Sequence, residues 1–167
     1  MSQCFDTIHS KVTKLNISSA RIADWLDQTT WADALEWDDL VNFGLYLTAY
    51  KADPETVIFP EGDLRQCMAI LVDGTVEIRK TTETLEQKSL AEVRSPQTFG
   101  EMSLIDGQPR SAEVQALNQC QFMILDKAAF DTMAEKHPKL AIKVLLRLSS
   151  LMSQRLRQVS GRLIHLV

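Results

Sequence analysis

The chain lacks any run of eighteen apolar residues, and Met1 leads directly into polar Ser2 and Gln3. Neither a membrane span nor a secretory leader is expected from such a pattern. Cysteine is scarce: Cys4, Cys67 and Cys120 are odd in number and widely separated. A disulfide framework is therefore not expected, and free thiols fit a reducing compartment, so the expected location is cytoplasmic. The three histidines, His9, His137 and His165, lack metal-ligand spacing to one another or to the cysteines. No metal site and no cofactor are expected from them. No nucleophile and base stand together in a recognisable motif either, so the chain is not expected to be an enzyme.

What is present describes a globular domain. The chain has 167 residues, 45% hydrophobic and 24% charged, enough for one domain with a real core and a helical extension. Short β-rich runs bounded by Gly, Pro, Asp and Asn recur from Leu45 to Leu125. They predict an antiparallel roll or jelly-roll barrel inside a mixed α+β fold, not alternating βα units. Helices are predicted on both sides of that block. Ser19 is a candidate cap for a segment through Trp25 and Leu26. Glu36 to Leu47 places apolar Leu40, Val41, Phe43 and Leu47 behind an acidic first turn. Trp25, Trp31 and Trp37 read as local core, since their spacing does not make one helical face. Three parts follow: an N-terminal helical extension over 1–35, a roll over 36–137, and a long helix over 138–167, where Pro138 suits a first turn.

The last helix carries Leu145, Leu148, Met152, Leu156, Val159, Leu163 and Leu166 in steps of three and four. This stripe is longer than a small roll can cover, and it predicts a homodimer seam of coiled-coil type, with Arg155 making the seam only partly dry. Charge is uneven as well. Residues 137–167 hold six basic residues and no acid, which leaves 12 basic against 22 acidic residues elsewhere, a balance of -10 within the total of -4. The basic helix ends favour the helix dipole, while an acidic roll repels phosphate backbones, so direct DNA binding is not expected.

The densest chemistry lies between Phe99 and Val114. Gly100 opening a short helix allows close backbone approach to an anion, and the first N–H groups of that helix lack internal partners. An ionised Glu101 can only accept hydrogen bonds, so it suits a hydroxyl and not an anion. Arg110 supplies a full charge with a planar fork of donors. Gly107 and Pro109 shape the turn that brings Arg110 back, and Ser111 can donate beside it.

The run Phe99-Gly100-Glu101-Met102-Ser103-Leu104-Ile105-Asp106-Gly107-Gln108-Pro109-Arg110-Ser111-Ala112-Glu113-Val114 resembles the phosphate-binding cassette of cyclic nucleotide-binding domains. Upstream, Thr56 to Asp63 and Met68 to Ile78, with Gly62 and Gly74 at turn positions, resemble the strands that open that family's β-roll. Downstream, Cys120 to Asp126 resembles its last strand, and Lys127 to Lys136 the helix after it. The resemblance covers about residues 36–162. It implies a regulatory sensor of cAMP, or less readily cGMP, with Phe99, Gly100, Glu101, Met102, Ser103, Pro109, Arg110, Ser111 and Ala112 around the ligand. By the same resemblance Glu101 meets the ribose and Arg110 the phosphate, and substituting either is expected to abolish binding while leaving the fold intact. Arg155, Val159 and Ser160 are implied contacts of a lid over the base. Where the catabolite-activator type has a threonine-serine pair this chain has Val159-Ser160, so one base-reading hydroxyl is absent. The chain stops at Val167 without a helix-turn-helix, so the signal is expected to leave through a dimer contact or an unknown protein partner. Two other readings stand beside this one: a ligand-independent dimerisation or docking module with Arg110 paired to an acid of its own chain, and a cyclic dinucleotide as ligand.

Overall fold

The computed structural model describes residues 11–31 and 33–164, with side chains through Gly161. Among these residues nine strands form two antiparallel sheets. In chain order they are β1 (Val12–Lys14), β2 (Thr48–Ala52), β3 (Val57–Phe59), β4 (Cys67–Asp73), β5 (Thr75–Thr81), β6 (Gln87–Arg94), β7 (Thr98–Phe99), β8 (Glu113–Ala116) and β9 (Cys120–Asp126). One sheet runs β1-β2-β9-β4-β7 and the other β3-β8-β5-β6. The helices among the same residues are α1 (Ser19–Asp27), α2 (Trp37–Gly44), α3 (Glu101–Asp106), α4 (Lys127–Lys136) and α5 (Pro138–Ile164).

The five-stranded sheet is covered on both faces, which explains the near-continuous apolar runs of its central strands. Along β4, Cys67, Ala69 and Leu71 point into the roll while Met68 and Ile70 point out toward the helices; along β9, Phe122 and Ile124 point in, Met123 and Leu125 out. The interior holds Tyr50, Phe59, Phe99 and Phe122, with Phe99 5.5 Å from Phe59 and 6.2 Å from Phe122 between ring centroids. On the outer face, Ile22 and Leu26 of α1, Leu40 and Phe43 of α2, Met133 of α4 and Leu140, Val144 and Leu148 of α5 share one core with Trp31. The described part of residues 11–35 therefore builds part of this core, and β1 extends the sheet by pairing with β2.

Several local expectations are shifted. Ser18, not Ser19, caps α1: its extended backbone (φ -72°, ψ 157°) frees its hydroxyl to accept from Arg21 N at 3.2 Å, while Ser19 is already helical. Trp37 is not core; as first residue of α2 it is 51% exposed, whereas Trp31 is fully buried against Phe43. Cys120 is a free, buried thiol, but Cys67 is disulfide-bonded to a partner outside the described residues. Among the described residues no helix is long and apolar enough to cross a membrane.

Candidate functional site

The site forms where β7 leaves the five-stranded sheet and α3 begins. Gly100 makes that junction with φ +75°, in the left-handed region where a side chain is strained. A Cβ there would lie 2.7 Å from Arg110 Nη1 and 2.7 Å from Phe59 Cε2, so the glycine also makes room for the guanidinium. A second left-handed glycine, Gly107 at φ +68°, ends α3. The chain then returns to Arg110, whose backbone is fixed on both sides: Arg110 N donates to Asp63 O at 2.9 Å, and Gly62 N donates to Arg110 O at 2.8 Å.

Arg110 points inward and is only 5% exposed. Its Nη1 donates to Gly100 O at 2.6 Å and its Nη2 to Cys67 O at 2.6 Å, with the guanidinium carbon 3.8 Å from the centroid of the Phe59 ring. Burial pushes its pKa down to about 10, against the opposing attraction of Asp63. It stays a cation at neutral pH, but a poorly solvated one. Its Nε is buried and has no hydrogen-bond partner. Arg110 is paired with two carbonyls, not with an acid of its own chain.

Glu101, the first residue of α3, is also 5% exposed. Its Oε1 accepts from Arg155 Nη1, and Arg155 Nη2 donates to Thr98 O. The other oxygen, Oε2, is buried and unpartnered. The site thus holds one unpaired buried donor, Arg110 Nε, and one unpaired buried acceptor, Glu101 Oε2. Unpaired buried polar atoms cost free energy, about 1–3 kcal/mol each. Among the described residues the same condition is met at Trp31 Nε1, Thr56 Oγ1, Arg79 Nε and Arg147 Nε, and the segment over residues 101–110 holds two such atoms of opposite kind.

The remaining expected site residues separate by environment. Phe99 is fully buried in the roll interior and Ser103 is buried on α3, whereas Met102 is half-exposed and Pro109 and Ser111 are exposed. Arg155 lies beside Glu101, while Val159 is 55% exposed and Ser160 is exposed, one turn further along α5. Of the expected seam, Leu145, Leu156 and Val159 are exposed and Met152 is half-buried, but Leu148 is 1% exposed inside the chain's own core; the side chain of Leu163 lies outside the described residues. The stripe on α5 is two stripes. One faces the helical core through Leu140, Val144 and Leu148 and continues to Arg155, and its neighbour faces outward. Among the described residues no group of three or more His, Cys, Asp or Glu stands close enough to hold a metal.

Two elements of the site carry no motif signal. Thr98 is 2% exposed and receives Arg155 through its carbonyl, a contact set by backbone position and not by residue type. Lys80 Nζ donates to Ser111 O at 2.9 Å. Strand alternation through Val76, Ile78 and Lys80 is the signal that places it on the concave face.

Comparison with known proteins agrees with this geometry. The family profile described as cyclic nucleotide-binding domain matches residues 50–137. A cyclic AMP receptor protein of Thermus thermophilus is 30% identical over 101 residues, 60% of this chain and 45% of that protein, so the match spans less than half of the relative's length. The crystal structure of a cyclic nucleotide-binding domain from Methylobacillus flagellatus superposes with a TM-score of 0.85 at 25% identity, covering 98% of this chain and 93% of the other. The catabolite activator protein of Thermus thermophilus gives a TM-score of 0.67 at 26% identity, covering 79% of this chain and 60% of the other. With a matched profile over more than half its length and a two-sheet roll closed by a long helix, the chain belongs to the cyclic nucleotide-binding domain family.

Proposed function

We propose that this chain is a regulatory sensor whose ligand is cAMP, ahead of cGMP, and that it reports occupancy through α5. The observation that carries the reading is the pair of unsatisfied buried atoms, Glu101 Oε2 and Arg110 Nε. A ribose hydroxyl needs an acceptor and a phosphodiester needs a donor, and the site offers one of each. The name of the cyclic AMP receptor relative supports the choice of cAMP. Ser111 and Ala112 follow Arg110 at the ligand's edge, and Val159 and Ser160 are the α5 positions that would close over the base.

The path of the signal follows from Arg155. It spans from α5 to Glu101 and to the Thr98 carbonyl, so the residue that would hold the ribose also holds the helix. A ligand that binds Glu101 and favours one placement of Arg155 shifts the population of α5 positions by its differential affinity for them. The receiver of that shift is a second copy of the chain. Leu145, Ser149, Met152, Leu156 and Val159 form an uncharged strip on the outer side of α5, with its basic residues elsewhere on the helix. An uncharged strip can meet its own copy without juxtaposing like charges. The role is ligand binding and not catalysis, with a protein and not DNA as the downstream contact.

Calorimetry of the chain against cAMP and cGMP tests the reading, with Glu101→Gln as the control that removes the ribose acceptor charge. Micromolar binding, at least tenfold weakened by Glu101→Gln, is the expected result; absence of heat from either nucleotide with folded, nucleotide-free protein would end it. The inward pairing of Arg110 with Gly100 and Cys67 favours one other reading, a ligand-independent dimerisation module in which the arginine is structural. Sedimentation separates the two: that module predicts a dimer unchanged by nucleotide and dissociated by Met152→Glu, and a monomer would eliminate it.

A further inference from the structure

The inward face of α5 changes character past Leu148. Leu140, Val144 and Leu148 lie in the helical core, and steps of three and four carry the same face on to Leu151, Gln154, Arg155 and Gln158. A helix that only packed on its own core would not need carboxamides and guanidiniums there. This face meets the turn after α1, which brings Thr30 and Asp33, and the turn before β7, which brings Gln97. Together they enclose a cavity of about 330 Å3. Its size falls within the range of small-molecule pockets, about 300–1,000 Å3, but its lining is polar where most such pockets are apolar. A polar ligand is what such a wall can recognise.

Arg147 tells which kind. Its side chain is only 15% exposed, and its Nε is buried without a hydrogen-bond partner. Nη2 donates to Thr30 O at 2.5 Å, which holds the guanidinium in the cavity wall but engages only part of its planar fork. Its ion-pair partner among the described residues is Asp33, with Oδ2 3.6 Å from Nη2, beyond hydrogen-bond distance, on a side chain that is 72% exposed. So exposed a pair contributes little. A mostly buried cation therefore faces a carboxylate position that the chain's own Asp33 fills only loosely.

We propose that this cavity is a second small-molecule site, and that its ligand is a small polycarboxylate anion. One carboxylate engages the Arg147 fork in the place of Asp33, since guanidinium and carboxylate match in a planar, bidentate way. The remaining oxygens accept from the carboxamides of Gln97, Gln154 and Gln158, which can each donate. The inference goes beyond nucleotide sensing and does not rest on it. Arg155 lines the cavity and also holds Glu101, so the two sites share one side chain.

Calorimetric titration of nucleotide-free protein with citrate, at fixed ionic strength, tests the proposal. Wild type should bind citrate. Asp33→Asn removes the competing carboxylate and should bind at least threefold more tightly, whereas Arg147→Gln should bind at least tenfold more weakly. Asp24→Asn, which removes an equal charge on α1 outside the cavity, should leave the affinity unchanged. A merely structural arginine gives no gain at Asp33. Melting curves show whether Arg147→Gln is folded after losing its bond to Thr30; if it is not, the exposed Asp33 position still decides. Absence of citrate binding in wild type, no gain in Asp33→Asn, or an equal gain in Asp24→Asn overturns the proposal. None of these outcomes touches the cAMP titration, which stands or falls separately.

Discussion

Replacing Arg110 by alanine separates the structural and ligand roles of the guanidinium. The substitution removes hydrogen bonds to the Gly100 and Cys67 carbonyls and the contact with Phe59. Two hydrogen bonds to a charged group contribute about 1.5–3 kcal/mol each, and a desolvated cation–π contact about 1–2 kcal/mol. Against this stands the burial of the charge. Depression of the pKa from the usual arginine range to about 10 corresponds to a cost of about 3 kcal/mol at 1.36 kcal/mol per unit. The balance is a net loss of about 1–5 kcal/mol, which in a domain of this size, at about 2–4 °C per kcal/mol, lowers the melting temperature by roughly 2–20 °C. The variant should therefore fold but melt early, and the expectation from sequence that the fold is untouched needs that amendment. Differential scanning calorimetry with and without cAMP reads both roles at once: wild type is stabilised by nucleotide and Arg110→Ala is not. A variant melting within about 1 °C of wild type would refute the inward network, and one still stabilised by cAMP would refute the phosphate role.

Three further outcomes follow from the same geometry. Gly100→Ala places a methyl group against Arg110 Nη1 and Phe59 in a left-handed backbone, and should destabilise by about 1–3 kcal/mol, measured by urea unfolding; an unchanged midpoint would contradict the close approach. Because the folded-state pKa of Arg110 is lowered to about 10, its cation is present at pH 7–9 and nucleotide affinity on its account should be flat there, then fall as pH rises through 10. The sign for stability is opposite: above about 10 the unfolded chain binds more protons than the folded one, so this group's contribution to stability rises with pH there. A fall in affinity centred near neutral pH would assign the titration to another group. Burial pushes the Cys120 thiol pKa up, so native protein should resist iodoacetamide at Cys120 and react only on unfolding, read by peptide mass spectrometry; rapid native alkylation would place the thiol at the surface.

How far the sequence could be read depends on the scale at which each signal is written. β9 and α4 were legible to the residue through the resemblance to the family's last strand and the helix after it, and the structure gives the local cause: Asp126 ends an apolar strand and accepts from Ala129 N at 2.8 Å as a helix cap. Glu36 and the acidic turn after it marked α2 in the same way. The stripe on α5 was legible as apolar but not as divided, since the steps through Leu145, Leu148 and Met152 alternate between two adjacent faces. Only the docking of α1, α2 and α4 decides that Leu148 is interior and Leu145 exterior. The disulfide at Cys67 was illegible for a related reason: proximity across the fold is a tertiary property, and spacing along the chain says little about it.

The segment around Glu101 and Arg110 was legible as chemistry but not as a state. Residue types at that spacing specify an acceptor beside a donor, yet they do not say which groups of the chain itself each one meets. The structure supplies that part. Arg110 is held by carbonyls of its own chain and Glu101 by Arg155, and each keeps one buried polar atom unsatisfied. On the proposed sensor reading, a ligand that satisfied those atoms would supply free energy to move what they hold. The movable member is Arg155, because Arg110 is fixed by backbone bonds on both sides while Arg155 sits on a helix whose following turn is exposed. On the same reading, coupling between ligand and α5 runs through one carboxylate, that of Glu101. Arg155→Ala should uncouple them: nucleotide still binds through Glu101 and Arg110, but hydrogen exchange in the turns of α5 beyond residue 151 no longer responds to it. An unchanged response in that variant would place the coupling elsewhere on the helix.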